Sequence, residues 1–324
     1  MPSPDRTAAG GAPAPPRQDL RYHQLHRLGR FGAVRALLGT LGMVVALLVV
    51  VPLLLTGGYN SAGEPYGELS IDPLTPVGLV MVCLSLAAAV PIVIATTRLA
   101  HDLPGGWIMS VVGRLRWRWL VTCLGLATLA LLGSVLLALV LPEHGGASVE
   151  GSVNEVTDRT IAFALIVLLL IPLQAAGEEY AFRGYLTQAV GGVVSGRVGT
   201  AVAVVVPALL FALAHGVQDP PVFIDRFLFG LVAGTLVILT GGLEAGIAMH
   251  LLNNWVFFGL ALAFGDISEA LAPVAGTWWL LPGTLVQSLG YLALVAWVAR
   301  RRSLETTTDS VVAVGVLEGK RPRV

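Results

Sequence analysis

Charge is scarce in this chain. Charged residues make up 12% of its 324 positions and hydrophobic residues 55%, whereas a soluble domain carries about twice that charged share. With a mean hydropathy of +0.79, this scarcity excludes an ordinary soluble domain. Cysteine is rarer still. Cys83 and Cys123 are the two present, both in apolar runs; they exclude a C-x-x-C metal centre and read as small hydrophobic packing. The formal net charge is zero, so no basic excess marks a nucleic-acid partner. No internal repeat of solenoid length stands out. Neither H-E-x-x-H nor G-x-S-x-G occurs, so the usual signatures of soluble zinc peptidases and serine hydrolases are missing.

What the chain does have is hydrophobic length. A helix needs roughly 20 mainly apolar residues to cross the hydrocarbon. Eight segments qualify, at about 36–56, 76–97, 119–141, 160–182, 198–215, 226–242, 244–264 and 277–299. The expected fold is all-α, a polytopic membrane helix bundle of about eight transmembrane helices. The first segment starts too late and runs too long for a cleaved signal peptide.

Arginine placement orients the bundle. Arg17, Arg21, Arg27, Arg30 and Arg35 precede the first span, Arg98, Arg114, Arg116 and Arg118 follow the second, and Arg300, Arg301 and Arg302 follow the last. The 57–75 connection has acids but no Lys or Arg, and 265–276 has Asp266 and Glu269 alone. The positive-inside rule then puts both termini in the cytoplasm of a multi-pass cell-membrane protein. Residues 1–30 are expected to be a disordered basic tail and 303–324 a disordered cytoplasmic tail, flanking one transmembrane domain at 31–302. Trp117, Trp119, Trp278 and Trp279 read as interfacial belt residues. Gly230 and Gly234 form a G-x-x-x-G that suits a close helix contact.

Ionisable groups inside greasy segments are costly and seldom lack a partner or a role. Here they are Glu178, Glu179 and Arg183 in GEEYAFRGYL, His215 in FALAH, and His250 with Asn254 in HLLNN. Glu179 and Arg183 are i and i+4 and can pair on one face. Glu178 is turned roughly 140° from Arg183 at about 100° per residue, into a different space, where it suits a general base. Each motif also has a structural reading: a solvated interfacial turn, a helix-terminal imidazole, or a helix–helix hydrogen bond. Gln174, one turn before Glu178, can hydrogen-bond within the site, although a bundle contact is the favoured reading. Two chemistries stay open for the set as a whole. Glu178, His215 and His250 are candidates to hold zinc. Alternatively, Glu178 and one His activate water while the other His and Asn254 stabilise an oxyanion.

Together, Glu178-Glu179-x-x-x-Arg183, Phe211-x-x-x-His215 and His250-x-x-x-Asn254 resemble the CPBP family, also called the CAAX-protease and bacteriocin-processing or Abi family. The resemblance covers about 160–260. It implies an intramembrane endopeptidase acting on a membrane-associated peptide or protein in the lipid bilayer. By that resemblance, Glu178 is the base, helped by His215. His250 and Asn254 form the oxyanion side, and Glu179 and Arg183 shape the site. Whether zinc takes part is left open by the family. The competing reading is a catalytically silent membrane scaffold or regulator; a proton-coupled transporter lacks the expected pair of broken helices. Straight helices of the drawn lengths would separate His215 from Glu178 by about 30 Å. The site therefore requires a longer fourth helix, or a tilted or broken fifth.

Overall fold

In a computed structural model, residues 19–63, 66–71, 73–138, 153–268 and 276–309 are described. The end of the third expected span, and the tails at 1–18 and 310–324, lie outside them. Among the described residues, eight helices are long and apolar enough to cross a membrane. They are α1 (Ala33–Ser61), α2 (Pro76–His101), α3 (Trp117–Leu136), α4 (Asp158–Val193), α5 (Gly196–Ala214), α6 (Pro220–Thr240), α7 (Glu244–Phe264) and α8 (Leu280–Arg301). The chain is an all-α polytopic membrane bundle.

Local chemistry sets several helix ends. Thr75 precedes Pro76, and its hydroxyl accepts from the Gly78 amide at 2.9 Å, capping α2. Thr157 caps α4 through the Thr160 amide, and Asp158 follows in the first turn. Gly241, at φ 68°, ends α6 in the left-handed conformation that favours glycine.

Packing explains which faces are apolar. α5 lies along α6, and α3 packs on α7 and α8. A Cβ at Gly230 would come within 2.9 Å of Ala208, and one at Gly234 within 3.1 Å of Val204. The G-x-x-x-G therefore is a close contact, with α5. Most of α1 stays exposed, including Leu37, Leu38, Leu48, Leu53 and Leu54. Lipid chains are as apolar as leucine, so such a face needs no protein cover. Cys83 and Cys123 are buried free thiols.

The two ends of the bundle differ. At one, Arg27 bonds the carbonyls of Gly191, Gly192 and Val194, Arg35 bonds Ala100, and Arg116 bonds Glu244 and the Glu305 carbonyl. At the other, Arg159 bonds the Leu74 carbonyl, Asn154 bonds the carbonyls of Leu262 and Gly265, and Gly276 meets Asp219. The basic connections thus gather at one end.

Three expectations need correction. Residues 19–30 are not a disordered tail: β1 (Asp19–Arg21) pairs antiparallel with β2 (Thr307–Asp309), and a 3-10 helix (Tyr22–Leu28) buries Tyr22, His23, Leu25 and His26. Residues 303–309 are likewise ordered by that pairing. Burial of Tyr22 and Leu25 overrides the polar look of the segment. Trp119 is not a belt residue either. It is 3% exposed in a cluster with Cys123, Phe211 and Tyr291, whereas Trp117, Trp278 and Trp279 are exposed.

Candidate active site

α4 decides the geometry of the polar cluster. Its first stretch gives way at Leu170, with Pro172 opening the second, and the helix then runs on to Val193, well past the end expected from sequence. The chain reverses at Val194 and Ser195 and returns as α5. His215, at the end of α5, is thereby carried back alongside Glu178. The longer fourth helix removes the separation that straight short helices imply.

Residues 180–186 wind as a π-helix, a form that often accompanies functional sites. Within it, Arg183 Nη1 donates to Glu179 Oε1 at 2.9 Å, and the two side chains are 1% and 0% exposed. The guanidinium also lies 4.1 Å from the Phe211 ring centroid and 5.7 Å from that of Phe229. A buried cation is thus paired and stacked. The Phe211 ring is common to the cluster, since it also meets His215 at 4.8 Å and His250 at 5.8 Å.

His250 stands between the adjacent carboxylates. Its Nδ1 donates to Glu179 Oε1 at 2.9 Å, and its Nε2 is 3.4 Å from Glu178 Oε2. One turn earlier on α7, a Cβ at Gly246 would come within 2.6 Å of Glu179 Oε2, so glycine leaves room for that carboxylate. One turn later, Asn254 Nδ2 donates to Gln174 Oε1 at 2.9 Å, and Gln174 Nε2 donates to Glu178 Oε1 at 2.8 Å. Asn253 turns away and accepts from Gln287.

His215 Nδ1 is 2.8 Å from the Phe211 carbonyl. A carbonyl only accepts, so Nδ1 carries the proton and Nε2 of the neutral ring is left as an acceptor. The ring is close enough to Glu178, His250 and Arg226 for their charges to act on it.

All six residues named from sequence therefore share one region, but two others also belong to it. Gln174 joins Glu178 to Asn254. Arg226 on α6 donates to Gln218, which holds the Ala212 carbonyl beside His215. The i, i+4 spacing from Glu178 signalled Gln174; Arg226 carried no motif, and its membership follows from where α6 packs.

The donor set does not form a zinc site as it stands. Among the described residues, no group of three or more His, Cys, Asp or Glu side chains is arranged to hold a metal ion. Glu178, His215 and His250 are neighbours without forming such a set, and His250 Nδ1 is already engaged by Glu179.

The order of these residues along three helices now meets an independent finding. Residues 160–256 match the family described as type II CAAX prenyl endopeptidase Rce1-like. The matched segment carries all three motifs and the whole polar cluster, Gln174 and Arg226 included, and it bears out the resemblance to CPBP and CAAX proteases. Comparison with curated proteins and with solved structures gave no match.

Proposed function

We propose that the protein is an intramembrane endopeptidase that hydrolyses a peptide bond of a membrane-associated protein or peptide. One observation carries the reading: Nε2 of His250 faces Oε2 of Glu178 at 3.4 Å while Nδ1 is committed to Glu179. Two acceptors cannot face one another in a low-dielectric site without a proton between them. That proton, or a water supplying it, is what acid–base chemistry needs.

The chemistry follows. Glu178 Oε2, with Nε2 of His215 in reach of the same charge field, takes a proton from water as the oxygen attacks the scissile carbonyl carbon. The carbonyl oxygen becomes an oxyanion, stabilised by protonated His250 and by the second Nδ2 hydrogen of Asn254. Collapse breaks the C–N bond, and the proton held by Glu178 passes to the leaving amine. Glu179 keeps His250 in one tautomer and stabilises its protonated form, and Arg183 holds Glu179.

Both termini are assigned to the cytoplasmic side of the cell membrane. The β1–β2 pairing joins the segment before α1 to the segment after α8, and the arginine-bearing connections gather at that same end of the bundle.

The test compares new peptide termini in membranes from cells carrying the wild-type protein or Glu178→Gln. A set of termini present with the wild type and absent with a folded Glu178→Gln is expected. Substrates cut equally by the variant would sink the proposal, and the absence of any difference would favour the scaffold reading.

A further inference from the structure

Gln174 lies outside all three motifs, yet it is 8% exposed and uses both ends of its amide inside the site. Its neighbours leave it one orientation. An ionised Glu178 is acceptor-only, so Gln174 must present Nε2 to it. That turns Gln174 Oε1 to Asn254, which must in turn present Nδ2. The charge on Glu178 thus sets the direction of two amides in series. Asn254 consequently keeps a second N–H for another acceptor, and Glu178 Oε1 is engaged, so Oε2 is the oxygen left facing His250.

We infer that Gln174 is a positioning residue that locks the Glu178 carboxylate and the Asn254 amide into one mutually dependent arrangement. The inference rests on the protease reading for its kinetic consequence. Without Gln174, Glu178 can rotate and Asn254 can flip, while the carbon framework that packs α4 against α7 need not change. A site loosened by about 1 Å loses on the order of 100-fold in rate.

The experiment uses the full chain in lipid nanodiscs, with Gln174→Met to keep the volume and remove both hydrogen bonds. Its substrate is a membrane peptide whose cutting depends on Glu178. Expected is a fall in kcat of about 10- to 100-fold with KM within about twofold. Gln174→Glu serves as the second variant: its rate relative to wild type should rise as pH falls, because the protonated acid again offers a donor and an acceptor. The infrared carboxylate band of Glu178, isolated by difference against Glu178→Gln, should move in Gln174→Met.

An unchanged kcat in Gln174→Met overturns the inference and leaves the protease reading intact. A loss carried by KM overturns it too, since Gln174 would then pack against substrate. If the wild type cuts no peptide, the infrared band decides. A moved band keeps the coupling and removes the protease reading; an unmoved band overturns the inference.

Discussion

His250 and Glu179 meet through Nδ1 and Oε1 at 2.9 Å, with both side chains buried. The contact is a hydrogen bond between helices α4 and α7, and it determines which imidazole nitrogen faces Glu178. Because the same Glu179 oxygen also accepts from Arg183, the tautomer, the ion pair and the site are mechanically one unit.

Glu179→Gln tests the tautomer. A glutamine amide can donate to Nδ1 and carries no charge, so it would move the ring proton to Nε2, leave His250 neutral and remove the imidazolium that faces the oxyanion. Turnover should fall by about 100- to 10,000-fold, the range for general acid–base groups. A rate within about twofold of wild type would show that the tautomer does not matter.

Arg183→Ala should destabilise the fold by about 3–5 kcal/mol, because it strands a buried carboxylate. Replacing both partners, as Arg183→Met with Glu179→Met, should recover much of that stability without restoring activity. Thermal unfolding in nanodiscs measures the first part and peptide cleavage the second. A double variant as unstable as the single one would contradict the pairing argument.

The amino-terminal 3-10 helix should loosen in acid. Burial, and then the Arg21 and Arg27 cations, hold the His23 ring at about 4, down from the ordinary 6.5. Burial and then neighbouring His101 push His26 down as well, and His26 stacks on His101 with ring centroids 3.8 Å apart. Between about 4 and 6.5 the released segment binds protons that the docked one does not. Docking is therefore strongest above that window and weakens as pH falls through it. Faster proteolysis within 19–30 at about pH 5 than at about pH 7.5 is expected; equal rates, after correction for protease activity, would refute it.

Chelation addresses the donor set. Zinc hydrolases use three protein ligands around one point, an arrangement that Glu178, His215 and His250 do not make among the described residues. Cleavage should persist after dialysis against a strong chelator. Loss on chelation with recovery on adding zinc would show that the ligands close around the ion when it binds.

Much of this protein follows from local rules. Apolar length alone separates the eight spans, since the hydrocarbon demands a minimum run and loops cannot remain in it. The pairing of Glu179 with Arg183 follows from helical spacing, even though the local winding is π-helical. The packing role of Gly230 and Gly234 is equally legible, because small residues one turn apart admit a neighbouring backbone.

Tertiary structure decided the rest. Whether His215 reaches Glu178 depends on where α4 stops, and that depends on the turn at Val194–Ser195, which Arg27 holds from the far amino terminus. Gln174 becomes part of the site only because α7 brings Asn254 opposite it. Trp119 is buried because α3 packs on α7 and α8. Periodicity reports the face that a residue occupies on its own helix. Which residue stands opposite is set by helix length, break points and register against other helices, and these are properties of the packed bundle rather than of any local stretch of sequence.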